Sequence, residues 1–454
     1  MIEKNFDGKK ITIAGLGRFG GSIAAARWLA NQGALVTVTD LAPAEKLQES
    51  IAQLSDLPIQ WQLGGHRMED FTNVDLVVAS PAIAPSNVYL QASRAHGVPI
   101  TTEIVLFIER CKGKIVAVTG TKGKSTTTAL LELMLKTRHR VFAGGNIGKS
   151  LLNELANITG NDLVVLELSS FMLHYLREIK FAPHLAIITM IASDHIEWHL
   201  TQQAYVSDKL SIMEFQSVND FAVLNENCET CNSVGSAVRT DFPGSANSVH
   251  DAAMTKSKII RFGVDGRRRF SLMIPGEHNQ ANAQGAFAAA QILGVTFDEA
   301  QKAVADFKGL SHRLSLVHEK DGVRFFDDSN ATIPDAAIVA LKSFPDKTVI
   351  QIVGGYNKGL PFDKMCEQLN LHAKAVLCIG ATGEAIFELL QKTSRDPSNI
   401  FLSGDLATAM RRAGLIAIPG DVVLLSTGCS SFDQFENYQM RGKKFAQLAN
   451  GGMG

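Results

Sequence analysis

The sequence has almost no net charge. Its 44 lysines and arginines are balanced by 45 aspartates and glutamates, which leaves a formal net charge of −1 at pH 7. The composition therefore provides no long-range field that would attract nucleic acid or an anionic membrane surface. A local cluster of donors can still hold a small anion. We therefore expect small-molecule substrates and neither a nucleic-acid nor a membrane partner.

Long apolar runs are also missing. No stretch approaches the roughly 18 to 20 apolar residues that a membrane-spanning helix needs, and the polar start MIEKNFDGKK does not resemble a secretory signal. We therefore expect a cytoplasmic protein. Hydrophobic residues still make up 46% of the 454 residues. A chain of this length exceeds a single hydrophobic core and predicts two to four domains.

Cysteine is scarce, with six residues scattered along the chain. Cys228 and Cys231 form one CxxC pair, but no second pair and no nearby histidine completes a zinc site. We therefore expect reduced cysteines that serve as small core residues.

The chain does contain a regular alternation of predicted strands and helices. The strands include KKITIAGLG and ALVTVTD in a first segment, KIVAVTG in a second, and VRFFDDS, KTVIQIVGG, AVLCIG and DVVLLSTG in a third. Apolar strands that end in polar turns are typical of parallel sheets buried on both faces.

This alternation predicts an α/β protein of three domains. We expect an N-terminal domain over residues 1–105, a central domain with a mainly parallel sheet over 106–309, and a C-terminal domain over 310–454. Residues 235–258 are polar and weakly patterned, which favours loops or a small edge hairpin.

The strongest local signal is VAVTGTKGKSTTTALLELML, in which a buried strand runs through a glycine-rich turn into a long helix. Backbone N–H groups at such a turn and at the helix N-terminus point towards an anion. Lys124 adds a charge for the β- and γ-phosphates, and Ser125 offers a hydroxyl to Mg²⁺. The motif departs from a full Walker A, because Val118 stands at the position of its first glycine. We predict that phosphate is bound by Gly120, Thr121, Lys122, Gly123, Lys124, Ser125 and Thr126.

A second glycine motif lies near the start of the chain. Gly15, Gly17 and Gly20 form GxGxxG after the first predicted strand, and Asp40 ends the next strand. This pattern fits a dinucleotide fingerprint. It fits equally well a Rossmann-like domain that holds a nucleotide diphosphate in another way. A tight structural turn without a ligand is the third interpretation.

Acidic and imidazole side chains follow separate strands of the second segment. Glu167 closes DLVVLELSS, while Asp194 and His195 follow HLAIITMI. Because the carboxyl ends of parallel strands line the ligand crevice, we expect these groups to reach a Mg²⁺ ion near the phosphates held by Lys124. Lys209 lies on a predicted helix, and from its residue type alone we expect a solvated lysine.

Loops rich in glycine, serine and aspartate follow the strands of the third segment. They are DDSNAT at 327–332, GGYNKG at 354–359 and STGCSSFDQF at 426–435. Loops of this kind on a rigid scaffold are typical of a ligand crevice. Arg313, ahead of them in SHR, is a candidate for a phosphate contact.

The motifs occur in a fixed order along nearly the whole chain: GLGRFGGS, VTGTKGKST, GGNIG, LELSSF, SDHIEWH, the Asp-Lys pair at Lys209, GEHNQANAQGA, GLSHR, DDSNAT, GGYNKG and STGCSSFDQF. This set resembles the Mur ligases of peptidoglycan synthesis, and among them the members that add D-glutamate. The resemblance implies an ADP-forming acid–amino-acid ligase that joins D-glutamate to UDP-N-acetylmuramoyl-L-alanine through an acyl phosphate. ATP and Mg²⁺ are the implied cofactors. We expect a monomer.

The resemblance also implies roles for domains and residues. The N-terminal domain would be Rossmann-like and hold the UDP end. The central domain would be a P-loop ATPase domain that binds ATP, and the C-terminal domain would be Rossmann-like and bind the incoming amino acid. The implied catalytic residues are Lys124, His195 and Lys209, and the implied metal ligands are Ser125, Glu167, His195 and, if carbamylated, Lys209. Further matches are Asn282, Arg313 and Asp328 for the nucleotide, Gly15, Gly17, Asp40, Ser80 and Asn146 for the UDP substrate, and Thr332, Lys358, Ser431 and Tyr438 for the amino acid.

Three residues depart from the family motifs. Asn330 stands where the D-glutamate-adding members usually have a lysine, and Ala82 and Ser193 are unusual for their motifs. Because Asn330 removes one cation from the amino-acid pocket, a related ligase is an alternative function. Such a ligase adds another amino acid to a muramoyl peptide, or glutamate to a folate. GxGxxG with Asp40 leaves an NAD-dependent oxidoreductase as a second alternative. A non-catalytic nucleotide-binding switch is the third.

Overall fold

A computed structural model describes residues 5–17, 20–236 and 254–451. Contacts within the chain divide it into two compact units, Met1–Arg267 with Ala281–Ala303 and Arg268–Gln280 with Val304–Gly454. The fold is α/β with mainly parallel sheets, as predicted. No helix in the described ranges is both long enough and apolar enough to cross a membrane.

The first sheet has five parallel strands in the order β3-β2-β1-β4-β5. The strands are β1 (Lys10–Ala14), β2 (Leu35–Asp40), β3 (Gln60–Leu63), β4 (Leu76–Ala79) and β5 (Ile100–Thr101). The helices are α1 (Gly21–Asn31), α2 (Gln48–Ala52), α3 (Glu69–Thr72), α4 (Val88–Ala95) and α5 (Glu103–Ile108). The strand order reverses between β1 and β4. In open parallel sheets a ligand binds outside the carboxyl ends at such a switch point.

The second sheet carries the glycine-rich turn on its strand β6. Its six strands are β6 (Lys114–Thr119), β7 (Val141–Gly145), β8 (Leu163–Glu167), β9 (Leu185–Ile188), β10 (Phe221–Asn225) and, further along the chain, β13 (Lys258–Phe262). All pairs are parallel, and β6 lies between β8 and β9. The helices are α6 (Lys124–Leu135), α7 (Ser170–Glu178), α8 (Ile196–His199), α9 (Gln202–Leu210), α10 (Glu229–Asn232), α11 (Glu277–Ile292) and α12 (Phe297–Val304).

Of the two alternatives predicted for residues 235–258, loops or a small edge hairpin, the hairpin is wrong where the structure describes this stretch. The short strands β11 (Gly235–Ser236) and β12 (Met254–Thr255) pair in parallel, whereas the strands of a hairpin are antiparallel. Residues 237–253 lie outside the described ranges.

The third sheet lies in the second compact unit. Its order is β14-β15-β19-β16-β17-β18, and only the edge pair β14–β15 is antiparallel. The strands are β14 (Ser315–Lys320), β15 (Val323–Asp327), β16 (Val349–Val353), β17 (Ala375–Ile379), β18 (Ile400–Gly404) and β19 (Val422–Leu425). The helices are α13 (Pro334–Leu341), α14 (Asp363–His372), α15 (Gly383–Thr393), α16 (Leu406–Ile416) and α17 (Tyr438–Asn450).

One hydrophobic cluster joins the first two sheets. Leu29 and Leu106 belong to the same buried cluster as Leu152 and Leu166. This shared core explains why the chain contacts define two units, although the three sheets occupy separate stretches, 10–101, 114–262 and 315–425. The domain boundaries after residues 105 and 309 remain predictions.

Candidate functional site

The glycine-rich turn after β6 requires glycine at two positions. Gly120 has φ +151° and Gly123 has φ +86°, both in the left-handed half of backbone space. A Cβ on Gly120 would collide with the Thr189 hydroxyl, and one on Gly123 would press against the Asn282 side-chain oxygen. Asn282 also accepts a hydrogen bond from Thr127 Oγ1 at 3.4 Å. The turn is therefore shaped by close neighbours as well as by its own sequence.

Contacts from neighbouring elements hold the turn in place. The Thr121 N–H donates to the Met190 carbonyl at 2.7 Å, and the Thr121 hydroxyl lies 2.8 Å from the Tyr205 hydroxyl. Lys124 Nζ, at the start of α6, donates to the Thr121 carbonyl at 3.1 Å. Helix N-termini and turns of this kind bind phosphate through backbone N–H groups.

Glu167 ends β8, directly beside β6. Its side chain is buried, and Asn146 Nδ2 donates to Oε1 at 2.9 Å. The other carboxylate oxygen, Oε2, is buried and makes no hydrogen bond with any described residue. A buried acceptor without a donor is costly, unless a cation or a ligand supplies the missing contact.

His195 lies on the other side of β6, beyond the end of β9. It has φ +52° and immediately precedes α8. Its ring lies 4.8 Å from that of Phe171, and its Nε2 is 3.7 Å from a carboxylate oxygen of Asp194. The imidazole remains partly exposed. The sheet order thus places Glu167 and His195 after the two strands that flank the glycine-rich turn.

Lys209 on α9 is buried, so the prediction of a solvated lysine is wrong. Only 2% of it is exposed, and its Nζ donates to the Gly120 carbonyl at 2.8 Å. Burial and the nearby charge of Lys124 lower its pKa to about 7, against the opposing influence of Asp194 and Glu167. A lysine is usually exposed to solvent, which is why exposure was predicted, but α9 packs the Lys209 side chain against the glycine-rich turn. The structure thus brings Lys124, Glu167 and Lys209 together.

Four of the predicted UDP-binding residues, Gly15, Gly17, Asp40 and Ser80, lie at the carboxyl ends of β1, β2 and β4 in the first sheet, whereas Asn146 follows β7 of the second sheet. Gly15 follows β1 with φ +81°, and a Cβ there would lie 3.2 Å from the Cβ of Ser80, which follows β4. Asp40 Oδ2 accepts from the Leu16 N–H at 2.8 Å and from the Gly17 N–H at 3.4 Å. Asp40 therefore holds the glycine turn through its backbone.

Two buried groups near these sites were not predicted from the sequence. Glu103, at the start of α5, accepts a hydrogen bond from the Ser150 hydroxyl, and burial raises the pKa of Glu103 to about 7. His199 Nδ1 lies 3.0 Å from Asp208, and its Nε2 lies 2.9 Å from the Ser170 hydroxyl. Burial lowers the pKa of His199. The second histidine of SDHIEWH was the available signal for this pair.

In the second unit, the loops that follow the strands also meet. Lys358 Nζ donates to the Thr332 hydroxyl at 3.2 Å, and the Tyr356 N–H donates to the Ser430 carbonyl at 2.9 Å. Ser431 is buried, and Tyr438 opens α17. The three loops DDSNAT, GGYNKG and STGCSS are therefore neighbours at one edge of the third sheet.

Asp328 lies in the first of these loops, next to the buried Asp327. Its carboxylate accepts from the Ser426 hydroxyl at 2.7 Å and from the Leu314 N–H at 3.1 Å. Burial raises the pKa of Asp328 to about 7 despite these hydrogen bonds. Arg313 is exposed. The role of both residues in nucleotide binding stays a prediction.

A turn between a central parallel strand and a helix, with a lysine at the helix start, is typical of α/β proteins that bind phosphate. Family models described as Mur ligase MurD-like, N-terminal domain, as Mur ligase middle domain, and as Mur ligase, glutamate ligase domain match residues 9–102, 118–290 and 312–429. The chain belongs to the Mur ligase family, which confirms the resemblance found in its motifs.

Individual relatives align over nearly the full chain. A UDP-N-acetylmuramoylalanine--D-glutamate ligase of Roseiflexus sp. (strain RS-1) is 40% identical over 97% of this chain and 98% of its own. A ligase of the same name from Desulfosudis oleivorans (strain DSM 6200 / JCM 39069 / Hxd3) is 35% identical over 97% and 95%. The solved structure of the UDP-N-acetylmuramate-alanine ligase MurC from Thermotoga maritima shares the fold, with a TM-score of 0.59 at 20% identity over 98% of this chain and 99% of its own.

Proposed function

We propose that this protein is an ATP-dependent ligase that joins D-glutamate to UDP-N-acetylmuramoyl-L-alanine in peptidoglycan precursor synthesis. The observation that carries the proposal is the cluster of Lys124, Lys209 and Glu167 around one glycine-rich turn. The names of relatives at 40% and 35% identity support the same reaction. An NAD-dependent oxidoreductase would leave this cluster without a purpose.

The turn and the start of α6 suit the phosphates of ATP. Backbone N–H groups and the Lys124 ammonium would cradle the β- and γ-phosphates. The carboxylate of the muramoyl substrate attacks the γ-phosphorus, the bond to ADP breaks, and an acyl phosphate forms. The amine of D-glutamate then attacks the acyl carbon, loses a proton, and expels phosphate. Lys124 contributes by neutralising charge on the transferred group.

The residues beside the turn fit Mg²⁺. The buried Oε2 of Glu167 lacks a hydrogen-bonding partner among the described residues, and carboxylate oxygens are preferred Mg²⁺ ligands. Ser125 and His195 are the further ligands we propose. When bound, the ion would supply positive charge that offsets the charge of the phosphates.

Lys209 is proposed to act as a carbamate. A buried amine with a pKa near 7 is partly uncharged at neutral pH, and only the uncharged form attacks CO₂. As the new N–C bond forms, the neutral amine loses one proton to water and becomes a carbamate anion, which would suit a second Mg²⁺. Replacing Lys209 with Ala should cripple turnover, and short carboxylates such as acetate should restore part of it. Lys124→Ala is the matched control, since added carboxylates should not rescue it.

The UDP substrate is assigned to the first sheet together with Asn146 of the second, and the amino acid is assigned to the third sheet. We propose that Gly15, Gly17, Asp40, Ser80 and Asn146 serve the UDP substrate, and that Thr332, Lys358, Ser431 and Tyr438 serve D-glutamate. The switch point of the first sheet and the clustered loops of the third support these assignments.

The decisive experiment measures phosphate release with ATP, Mg²⁺, UDP-N-acetylmuramoyl-L-alanine and each of a panel of amino acids. We expect release that depends on D-glutamate. Turnover with a different amino acid would reassign the acceptor, as the asparagine at position 330 allows. ATP binding without turnover for any amino acid would support a non-catalytic switch.

A further inference from the structure

Arg441 on α17 is the largest side chain that the described structure buries fully. Its guanidinium makes five hydrogen bonds. Nε donates to the Ser329 hydroxyl and Nη2 to the Ser329 carbonyl, both at 2.9 Å. Nη1 and Nη2 each donate to the Cys429 carbonyl at 3.1 Å, and Nη1 donates to the Ser430 carbonyl at 3.2 Å. All five N–H donors are used.

The acceptors belong to the loops assigned to the amino acid. Ser329 lies in DDSNAT, and Cys429 and Ser430 lie in STGCSS. The third loop, GGYNKG, packs against the Arg441 guanidinium, because a Cβ on Gly355 would lie 3.3 Å from Arg441 Nη1. The Ser329 hydroxyl also donates to the Tyr438 carbonyl at 2.9 Å, which ties the start of α17 to this network.

The charge of Arg441 has no acidic partner in direct contact. Among the residues that the structure describes, no carboxylate forms an ion pair with this guanidinium. Burial lowers the pKa of Arg441 to about 10, so it remains a cation at neutral pH. A buried cation is a poor source of stability compared with an apolar side chain of similar volume. Its planar set of donors, in contrast, specifies the geometry of the loops that it joins.

We infer that Arg441 is a positioning residue for ligation, whose guanidinium joins two loops by hydrogen bonds and packs against the third, in the arrangement that binds the acceptor amino acid. The inference rests on the proposed function, which assigns the amino acid to these loops. A lysine at position 441 would keep the positive charge. Its ammonium group lies at the end of a flexible chain, however, and cannot reproduce the planar arrangement of the five guanidinium donors.

The test compares Arg441→Lys with Lys444→Met, a change at an exposed position on the same helix. Steady-state phosphate release is measured with D-glutamate varied and again with UDP-N-acetylmuramoyl-L-alanine varied. For Arg441→Lys we expect the KM for D-glutamate to rise about tenfold or more, and the KM for the UDP substrate to stay within about twofold. Lys444→Met should match the wild type. Ser329→Ala, which removes one acceptor, should raise the same KM by a smaller factor.

Hydrogen exchange gives a second readout that needs no turnover. Without substrates, Arg441→Lys should exchange faster in residues 329–333 and 427–432, while the middle sheet stays as protected as in the wild type. An unchanged KM for D-glutamate, an equal rise of both KM values, or unchanged exchange in the two loops would overturn the inference. If the wild type fails to use D-glutamate, the proposed function is wrong, and the exchange measurement still decides whether Arg441 holds the loops.

Discussion

The charge of Lys124 lies where a transferred phosphoryl group would need it, at the start of α6. Replacing Lys124 with Ala should lower kcat by about a hundredfold or more, because one preorganised positive contact to the transition state is lost. Phosphate release at saturating substrates measures the effect. Lys136→Ala is the control, since this lysine lies at the end of the same helix with 51% of its side chain exposed. Ligation by Lys124→Ala at the wild-type rate would contradict the assigned role.

Burial of Lys209 has a consequence for stability that depends on pH. Its pKa falls from 10.5 to about 7 in the folded chain, so the unfolded chain binds more protons between these values. The stability penalty is therefore complete below about pH 7 and disappears as the pH rises through about 10.5. Lys209→Met removes the penalty. Its gain in free energy of unfolding should be largest near neutral pH and should shrink by about 1.4 kcal/mol per pH unit above it.

Denaturant unfolding in bicarbonate-free buffer, at several values between about pH 7 and about pH 10, measures this trend. The exposed Lys302 offers the control, because Lys302→Met should show a difference from the wild type that does not vary with pH. A Lys209→Met gain that grows with pH would contradict the sign of the pKa shift.

At the scale of the element, the glycine-rich turn combines unusual backbone with tight packing. Gly123→Ala adds a methyl group at φ +86° that presses on Asn282. We expect a loss of stability of about 1 kcal/mol or more from the backbone, and a fall in ATP affinity of at least about tenfold because the turn must move. Gly97→Ala is the matched control. Gly97 also has positive φ (+73°) but nothing lies within 4 Å of its Cβ position, so stability alone should fall.

Calorimetric titration with ATP and thermal unfolding separate the two effects. Normal ATP affinity in Gly123→Ala would show that the turn tolerates the methyl group and that its shape matters less than we infer.

Element prediction succeeded where a strand is buried on both faces. β6, β8 and β9 are short apolar runs with polar ends, and all three were predicted. No strand was predicted at β14 or β18, the two edges of the third sheet. β18 buries only Ile400 and β14 buries only Ser315, so neither strand has the hydrophobic pattern of a buried strand. The parallel pairing of β11 and β12 likewise depends on distant contacts.

At the scale of the whole molecule, ligand binding should stabilise the fold. A nucleotide that binds only the native state adds about 2.7 kcal/mol at a concentration of 100 times its Kd. We therefore expect a non-hydrolysable ATP analogue with Mg²⁺ to raise the midpoint of thermal unfolding, and the shift to be much smaller in Lys124→Ala. The absence of any shift for the wild type would contradict nucleotide binding.

The sequence by itself determined the α/β class, the glycine-rich turn, the strand-end residues Glu167 and His195, and membership of the family. These features follow from short-range patterns, since a buried strand and a glycine-rich turn are each specified by consecutive residues. Only the tertiary structure decided that Lys209 is buried, that Glu167 has one oxygen without a hydrogen-bonding partner among the described residues, and that Arg441 joins two loops by hydrogen bonds. Burial and hydrogen-bonding partners depend on segments far apart in the chain, which no local pattern specifies.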